Sequence, residues 1–270
     1  MTPTKERQRA AARARLERQM AERKAAARKR RRAQITVAAA AVFVLVVAGG
    51  VWAVVHFGGG DDEPATTAAN ATCSFSELPD DAKTPQVKDV GLPPGTVPNT
   101  GTQIMNVNTS AGTIKVKMNR AEAPCIAANF AYLAEKSFYN DTKCHRAFEG
   151  MLQCGDPSAK GKGWRDTDGT GGPSYRFPDE NLPINDKPAY PRGTMAMANS
   201  GENTNGSQFF FIYKDTELDG AQYAVVGTLD EASLKVLDEI GKAGIDSAEG
   251  VGHPKKEVVI KSVTLDPPVE

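Results

Sequence analysis

Twenty-three consecutive residues without an obligate charge, ITVAAAAVFVLVVAGGVWAVVHF from Ile35 to Phe57, constrain this chain more than any other feature. As a helix the run spans about 34 Å, enough for the hydrocarbon layer of a bilayer. Its Val and Gly residues are poor helix formers in water. In lipid the alternative, an unpaired backbone, costs more. Trp52 suits the outer interface, Arg28–Arg32 precede the run, and Gly58–Glu63 after it are acidic. The positive-inside rule then places the N-terminus in the cytoplasm and the large C-terminal part outside. The alternatives are a cleaved signal peptide, whose apolar region would be shorter, and a buried soluble helix.

Charge divides the chain in the same way. Net charge is zero overall, but residues 1–32 carry 13 Lys and Arg against three Glu, leaving the remainder anionic. The sequence therefore predicts a basic cytoplasmic tail over 1–34, a transmembrane anchor over 35–57, a linker over 58–100 and a folded domain over 101–270. The tail has no Gly in its run of Ala, Arg, Glu, Gln and Lys, and reads as a solvated helix near anionic headgroups. No aromatic residue is interleaved, so nucleic acid is not an expected partner. The linker, GGGDDEPATTAAN through LPPGTVPNT, reads as mostly disordered, with Cys73 pinning part of it.

Beyond residue 101 the pattern is that of many short strands and two helices. MNVNTS and GTIKVKMN alternate around a turn as a hairpin. AEAPCIAANFAYLAEKSFY reads as a helix with Pro124 in its first turn and Ile126, Phe130 and Leu133 on one face. KCHRAF and MLQCGD read as strands around Glu149-Gly150. GTMAMAN, YAVVGTL and EVVIKSVTL are further strands, and EASLKVLDEIGKAG is a second amphipathic helix. The arrangement suggests a closed antiparallel barrel with helices over its ends.

The cysteines, Cys73, Cys125, Cys144 and Cys154, all follow the apolar run, and an even number in an exported domain favours disulfides. Three pairings are possible. If the strands on either side of Glu149-Gly150 pair, Cys144 could meet Cys154, and Cys73 would then tether the linker to Cys125. No CxxC occurs and the His residues lack ligand spacing, so no metal is expected. GTGG lacks the strand–loop–helix setting of a phosphate-binding loop, so no nucleotide cofactor is expected either.

Taken in order, NFAYLAEKSFY, HR, QCGD, GTGG, MAMAN, NGSQFFF, LDG and VVG resemble the cyclophilins, the cyclosporin-type peptidyl-prolyl isomerases. The likeness runs from about Gly101 to Leu265, and the chain looks most like the membrane-anchored cyclophilins of Gram-positive bacteria. The resemblance implies an eight-stranded β-barrel closed by two helices, no cofactor, and proline-containing peptides, unfolded or exported, as partners. It also implies roles for particular residues. Arg146, after His145, matches the catalytic arginine. Phe210 matches the floor of the proline pocket, and strand alternation sends Phe209 and Phe211 to the opposite face. Met151 and Leu218 match other pocket positions. Gln153 and Gln208 match the glutamines near the substrate carbonyls, Asn199 the position whose backbone grips the peptide, and Ala198 keeps the groove open.

The chain departs from the family in three places. RAFEGMLQ is one residue short and lacks Pro-Gly-Phe, so Met151 and Leu152 are both pocket candidates. TELDG has Glu217 where Trp often stands, which should weaken cyclosporin binding. GAQYAVVG offers Tyr223 where His is frequent. His145 reads as a structural residue, because the reaction transfers no proton, and His253 as a surface one. The function implied is isomerisation of Xaa-Pro bonds in proteins outside the membrane. The alternatives are a peptide-binding module of the same fold with little catalysis, and a scaffold acting through its basic tail.

Overall fold

The structure, a computed structural model, describes residues 69–215, 218 and 220–270. The basic tail, the apolar run 35–57 and the first part of the expected linker lie outside the described residues, as do Thr216, Glu217 and Asp219. Among the described residues no helix is long and apolar enough to cross a membrane.

The segment read as linker is folded from residue 69 onward, which corrects the boundary expected at 101. It holds β1 (Asn70–Thr72), β2 (Ser76–Glu77), a single 3-10 turn (Asp80–Ala82), β3 (Val87–Lys88) and β4 (Thr96–Pro98). These strands are too short to stand alone, so their order comes from what they touch. β1 pairs with β4. Phe75 packs edge-on against Tyr175, ring centroids 5.6 Å apart. The Tyr132 hydroxyl donates to the Val90 carbonyl, and Ser174 Oγ donates to Asp89 at 2.8 Å. A disulfide joins Cys73 to Cys125, and such a tie contributes typically about 2–4 kcal/mol by restricting the unfolded chain. Composition hid this arm because, apart from the β1–β4 pair, its partners are distant in sequence.

The main body begins with a hairpin, β5 (Thr102–Thr109) and β6 (Gly112–Asn119), in the expected place. Alternation is strict in β6: Ile114, Val116 and Met118 are buried, while Thr113, Lys115 and Lys117 face solvent. Helix α1 (Pro124–Glu135) follows, then β7 (Thr142–Lys143), β8 (Arg146–Phe148), β9 (Met151–Cys154), β10 (Gly172–Pro173) and β11 (Tyr175–Arg176). Next come β12 (Thr194–Met197), β13 (Phe209–Ile212), β14 (Val225–Leu229), helix α2 (Glu231–Ala243), β15 (Val251–Gly252) and β16 (Val259–Leu265).

Ten of these strands form one antiparallel sheet in the order β15-β8-β9-β13-β12-β14-β6-β5-β16-β7. Among the described residues the fold is mainly β with two helices, as expected, but the closed eight-stranded barrel is corrected. The end strands β15 and β7 do not pair with each other. The reason lies at Cys144-His145, where one extended segment breaks into two strands. β7 pairs with β16, whereas β8 pairs with β9 near the other end of the sheet. The two ends are thus joined along the chain instead of through a ladder. The Cys144–Cys154 disulfide staples this break to the end of β9. Both bridges follow the pairing that the hairpin argument favoured.

The enclosed face carries the larger core, with Met105, Val116, Leu152, Met195, Phe209, Phe211 and Ile260 among its members. Both helices cover it: α1 lies against β16 and α2 against β6. Helix α2 starts on Asp230, which accepts from the Ser233 amide at 2.7 Å, and stops at Gly244 with φ 81°. Helix α1 has Pro124 in its first turn and buries Ile126, Phe130 and Leu133 together, as the periodicity requires.

Its N-cap, Ala123, offers no side-chain acceptor. Glu180 supplies one from a distant loop, accepting from the Ile126 amide at 2.6 Å. Burial pushes the Glu180 carboxyl up to about 7, against the opposing pull of the Ile126 and Cys125 amides. A pKa above the unfolded value of 4.5 means that folding favours the protonated form. This share of stability is complete below pH 4.5 and is lost as pH rises through 7. We expect Glu180→Gln, which keeps the acceptor and removes the titration, to flatten the stability profile across that window by about 1–2 kcal/mol. Chemical denaturation at a series of pH values measures it. A profile as steep as that of the wild type would mean that another group titrates.

Candidate active site

Register brings the expected residues into one row. Arg146 on β8 lies opposite Gln153 on β9, Gln153 opposite Phe210 on β13, and Phe210 opposite Ala196 on β12. Directly opposed residues share a face of the sheet. The parallel row Phe148, Met151 and Ile212 lies beside it on that face. The odd-numbered phenylalanines, Phe209 and Phe211, go to the larger core, and Phe210 goes to a separate cluster with Met151, Tyr190, Ala196 and Ile212. Met151 and Phe210 of this outer cluster line a cavity of about 450 Å³.

Arg146, Met151, Gln153, Ala198, Asn199, Phe210, Leu218 and Tyr223 all line that cavity. Leu152 does not: it is fully buried in the larger core, so the pocket assignment passes to Met151 alone. The cause is the two-residue alternation of β9, which places neighbours on opposite faces. Phe148 and Gln222 also line the cavity and were not foreseen. The parity that set Met151 apart from Leu152 would have found Phe148, which is two residues from Arg146 on the same strand.

Aromatic rings make the floor. Phe210 meets Tyr223 edge-on at 5.3 Å and Tyr190 at 6.4 Å. Tyr190 is buried, and its hydroxyl accepts from the Tyr223 amide at 2.8 Å and donates to the Tyr223 carbonyl at 3.1 Å. Both backbone groups of this wall residue are thereby pinned. We expect Tyr190→Phe to lose about 1 kcal/mol of that restraint. A several-fold fall in kcat/KM with the fold retained would report it in a peptide exchange assay. Unchanged kinetics would show that the wall stands without the hydroxyl.

A polar relay fixes the guanidinium. Arg146 Nη1 donates to Gln153 Oε1 at 3.4 Å, and Gln153 Nε2 donates to Gln208 Oε1 at 2.9 Å. Gln208 Nε2 in turn donates to the carbonyls of Gly169 and Gly171, both at 2.8 Å. Gln208 lines the neighbouring cleft and not this cavity. Its amide is occupied in holding Gln153 to the GTGG loop. That loop is held from beneath by buried Asp156, which accepts from the Gly169 and Gly171 amides. Gly171 is required at its position, since a Cβ would lie 2.1 Å from Asp156 Oδ1. The guanidinium also sits over the Phe148 ring, 5.8 Å from its centroid.

His145 is buried, and burial lowers its pKa despite the nearby Asp156 carboxylate. A neutral ring beside Arg146 adds no competing charge. His253, expected at the surface, is half-buried and stacks on Trp164 at 4.2 Å. The polar run NTNGSQ is explained by anchoring inward. Asn203 accepts from the Asp179 amide, Asn205 donates to Asp179 at 2.9 Å, and Ser207 donates to the Gly155 carbonyl at 2.7 Å. Buried Asn129 of α1 holds the Gly206 carbonyl at 3.0 Å. Asn199 donates through its side chain to the Gln222 carbonyl at 2.8 Å, and its backbone amide and carbonyl have no partner among the described residues. Glu217 lies outside the described residues.

Known proteins resemble this chain in sequence and fold. Residues 104–265 match the family model described as "Cyclophilin type peptidyl-prolyl cis-trans isomerase/CLD". The chain is 41% identical over 218 residues to "Probable peptidyl-prolyl cis-trans isomerase B" of Mycobacterium leprae, a match spanning 74% of this chain and 69% of the relative. It is also 41% identical over 211 residues to the protein of that name in Mycobacterium tuberculosis strain H37Rv, spanning 73% of this chain and 64% of the relative. A solved cyclophilin type isomerase of Cryptosporidium parvum superposes with a TM-score of 0.50 and 27% identity, covering 62% of this chain and 99% of that one. A second structure of it, in the presence of the dipeptide Ala-Pro, gives a TM-score of 0.50, 25% identity and coverage of 60% and 98%.

Proposed function

The chain belongs to the family of cyclophilin-type peptidyl-prolyl cis-trans isomerases, and we propose that it turns Xaa-Pro bonds in proteins outside a membrane to which residues 35–57 anchor it. The barrier to be lowered is about 18–20 kcal/mol and arises from amide resonance. The two isomers before proline are close in energy, so a catalyst must lower the barrier without choosing a product. No nucleophile or proton transfer is required. As the bond twists, its nitrogen gains lone-pair character. A donor aimed at that nitrogen binds the twisted form better than either planar form.

The observation that carries this reading is the row Arg146–Gln153–Phe210. It sets a permanently charged donor beside an apolar floor, with the donor held by the Gln153–Gln208 relay. In this mechanism the pyrrolidine ring enters the cavity over Phe210, between Met151 and Tyr223. The Asn199 backbone and the Gln153 amide hold the flanking peptide, and Arg146 reaches the prolyl nitrogen.

The finer likeness, to membrane-anchored cyclophilins of Gram-positive bacteria, rests on the uncharged run 35–57, the basic tail 1–34 and the acidic residues after the run. Two disulfides favour an oxidising compartment for the folded domain. The clients on this reading are unfolded or exported proteins, in which slow proline steps compete with aggregation. Cyclosporin binds weakly on the same reading, since Glu217 replaces an aromatic contact. The test is magnetisation exchange by NMR on short Xaa-Pro peptides with the oxidised full-length chain. Faster exchange between isomers is the expected result. Peptide binding without acceleration would reduce the chain to a binding module.

A further inference from the structure

We propose that the Cys144–Cys154 disulfide is a positioning element for Arg146: it locks the segment entering β8 onto β9, so that the guanidinium stays aimed over the proline cavity. The proposal rests on reading that cavity as the proline site and adds a residue pair to its machinery.

Arg146 sits at a weak point of the sheet. It is the first residue of β8, directly after the break at Cys144-His145. β8 and β9 share three rungs, and Arg146–Gln153 is the last of them. On its other edge β8 meets β15 at Ala147 and Phe148, not at Arg146. Gln153 is therefore the one ladder partner of Arg146 among the described residues. A ladder so short frays at its end unless the chain beyond it is tied.

The segment before Arg146 is tied mostly in another direction. The Cys144 amide donates to the Val258 carbonyl at 2.9 Å, and the His145 carbonyl accepts from His253 Nδ1. Both partners belong to the chain leading into β16. The His145 ring adds no tie, since neither of its nitrogens has a hydrogen-bond partner among the described residues. Of these links, the disulfide alone runs to β9.

Cys154 is well placed as the anchor. It follows Gln153 directly and pairs with Phe209 on β13, the strand that carries Phe210. Gln153 is fixed independently, through Gln208 to the Gly169 and Gly171 carbonyls. The acceptor for Arg146 and the floor of the cavity thus form one body, and the disulfide attaches the donor's segment to it. The contact it protects is long, 3.4 Å from Arg146 Nη1 to Gln153 Oε1, so a small shift of β8 breaks it. Both cysteines are buried in the larger core and neither lines the cavity. The bridge therefore acts through Arg146 and not on the peptide.

The test removes the bridge by Cys144→Ala/Cys154→Ala in the full-length chain. For Xaa-Pro exchange kcat should fall about tenfold with KM within about twofold, because the donor is displaced and the floor is kept. The same removal in an Arg146→Ala background should change kcat by less than about twofold, since the bridge then has nothing left to position. NMR relaxation of Arg146 Nε, read without substrate, should show lost order. Cys73→Ala/Cys125→Ala is the control. Its bridge spans 52 residues against 10, so its loss should cost at least as much stability while kcat stays within about twofold. If the first pair does not fold, Cys144→Ala/Cys154→Val retains more of the buried volume and takes its place. Failure of both to fold would make the bridge a requirement of the fold and overturn the proposal. Undiminished kcat, an equal loss in the Arg146→Ala background, or an equal loss in the control pair would each overturn it too. A wild type that accelerates no peptide would overturn the isomerase reading instead. The Arg146 Nε signal then decides the positioning alone: lost order on removing the bridge upholds it, and unchanged order overturns it.

Discussion

Arg146→Ala is expected to lower kcat/KM for Xaa-Pro exchange by about 10²–10³-fold, the usual cost of deleting one preorganised donor to a transition state. Arg146 is exposed and its partners are Gln153 and the Phe148 ring. Its loss leaves no buried group unpaired, so thermal stability should change little. Arg146→Lys separates charge from geometry. An ammonium keeps the charge but lacks the rigid fork that Gln153 orients, so activity should fall between wild type and the alanine variant. Peptide binding to Arg146→Ala should persist, because the apolar floor is intact. Wild-type exchange rates in the alanine variant would remove Arg146 from the mechanism. Lost binding together with lost exchange would make it an anchor for the ground state instead.

Most of this site was legible in the sequence, and the limits of that legibility have physical causes. Strand parity depends only on neighbours along the chain, so the separation of Phe210 from Phe209 and Phe211 could be read directly. The same parity, applied to MLQC, separates Met151 from Leu152 once the register with Arg146 is known. What sequence could not show was which polar atoms are already satisfied. Gln208 was read only as a group near the peptide backbone, and its amide also bridges Gln153 to two loop carbonyls. Those partners lie 37 to 55 residues away. The arm was hidden for a related reason. Its composition is that of a linker, and its order is supplied by Cys125, Tyr132 and the strands over 172–176. The sheet's break at Cys144-His145 is likewise a property of the curved sheet, since β7 and β8 would read as one strand in isolation.

Phe210→Ala should lower kcat/KM about a hundredfold and destabilise the fold by about 3–5 kcal/mol. Both effects follow from one ring. Phe210 is 2% exposed, packed between Tyr190 and Tyr223, and forms the floor over which the proline must sit. Truncation leaves a hole on the cavity side, so the pyrrolidine loses its apolar contact and the tyrosine wall its support. Stability loss alone could lower activity, so the informative partner is Phe209→Ala. Phe209 is as deeply buried but lies on the opposite face, against Phe130, Tyr139 and Phe211. It should cost similar stability. Measured well below the melting transition, it should keep activity within a few-fold of wild type, because the strand still presents Phe210 outward. The ratio of the two activities at equal stability therefore measures the floor contact itself. Two variants equally impaired while still folded would mean that the cavity depends on the strand's rigidity and not on the ring that faces it.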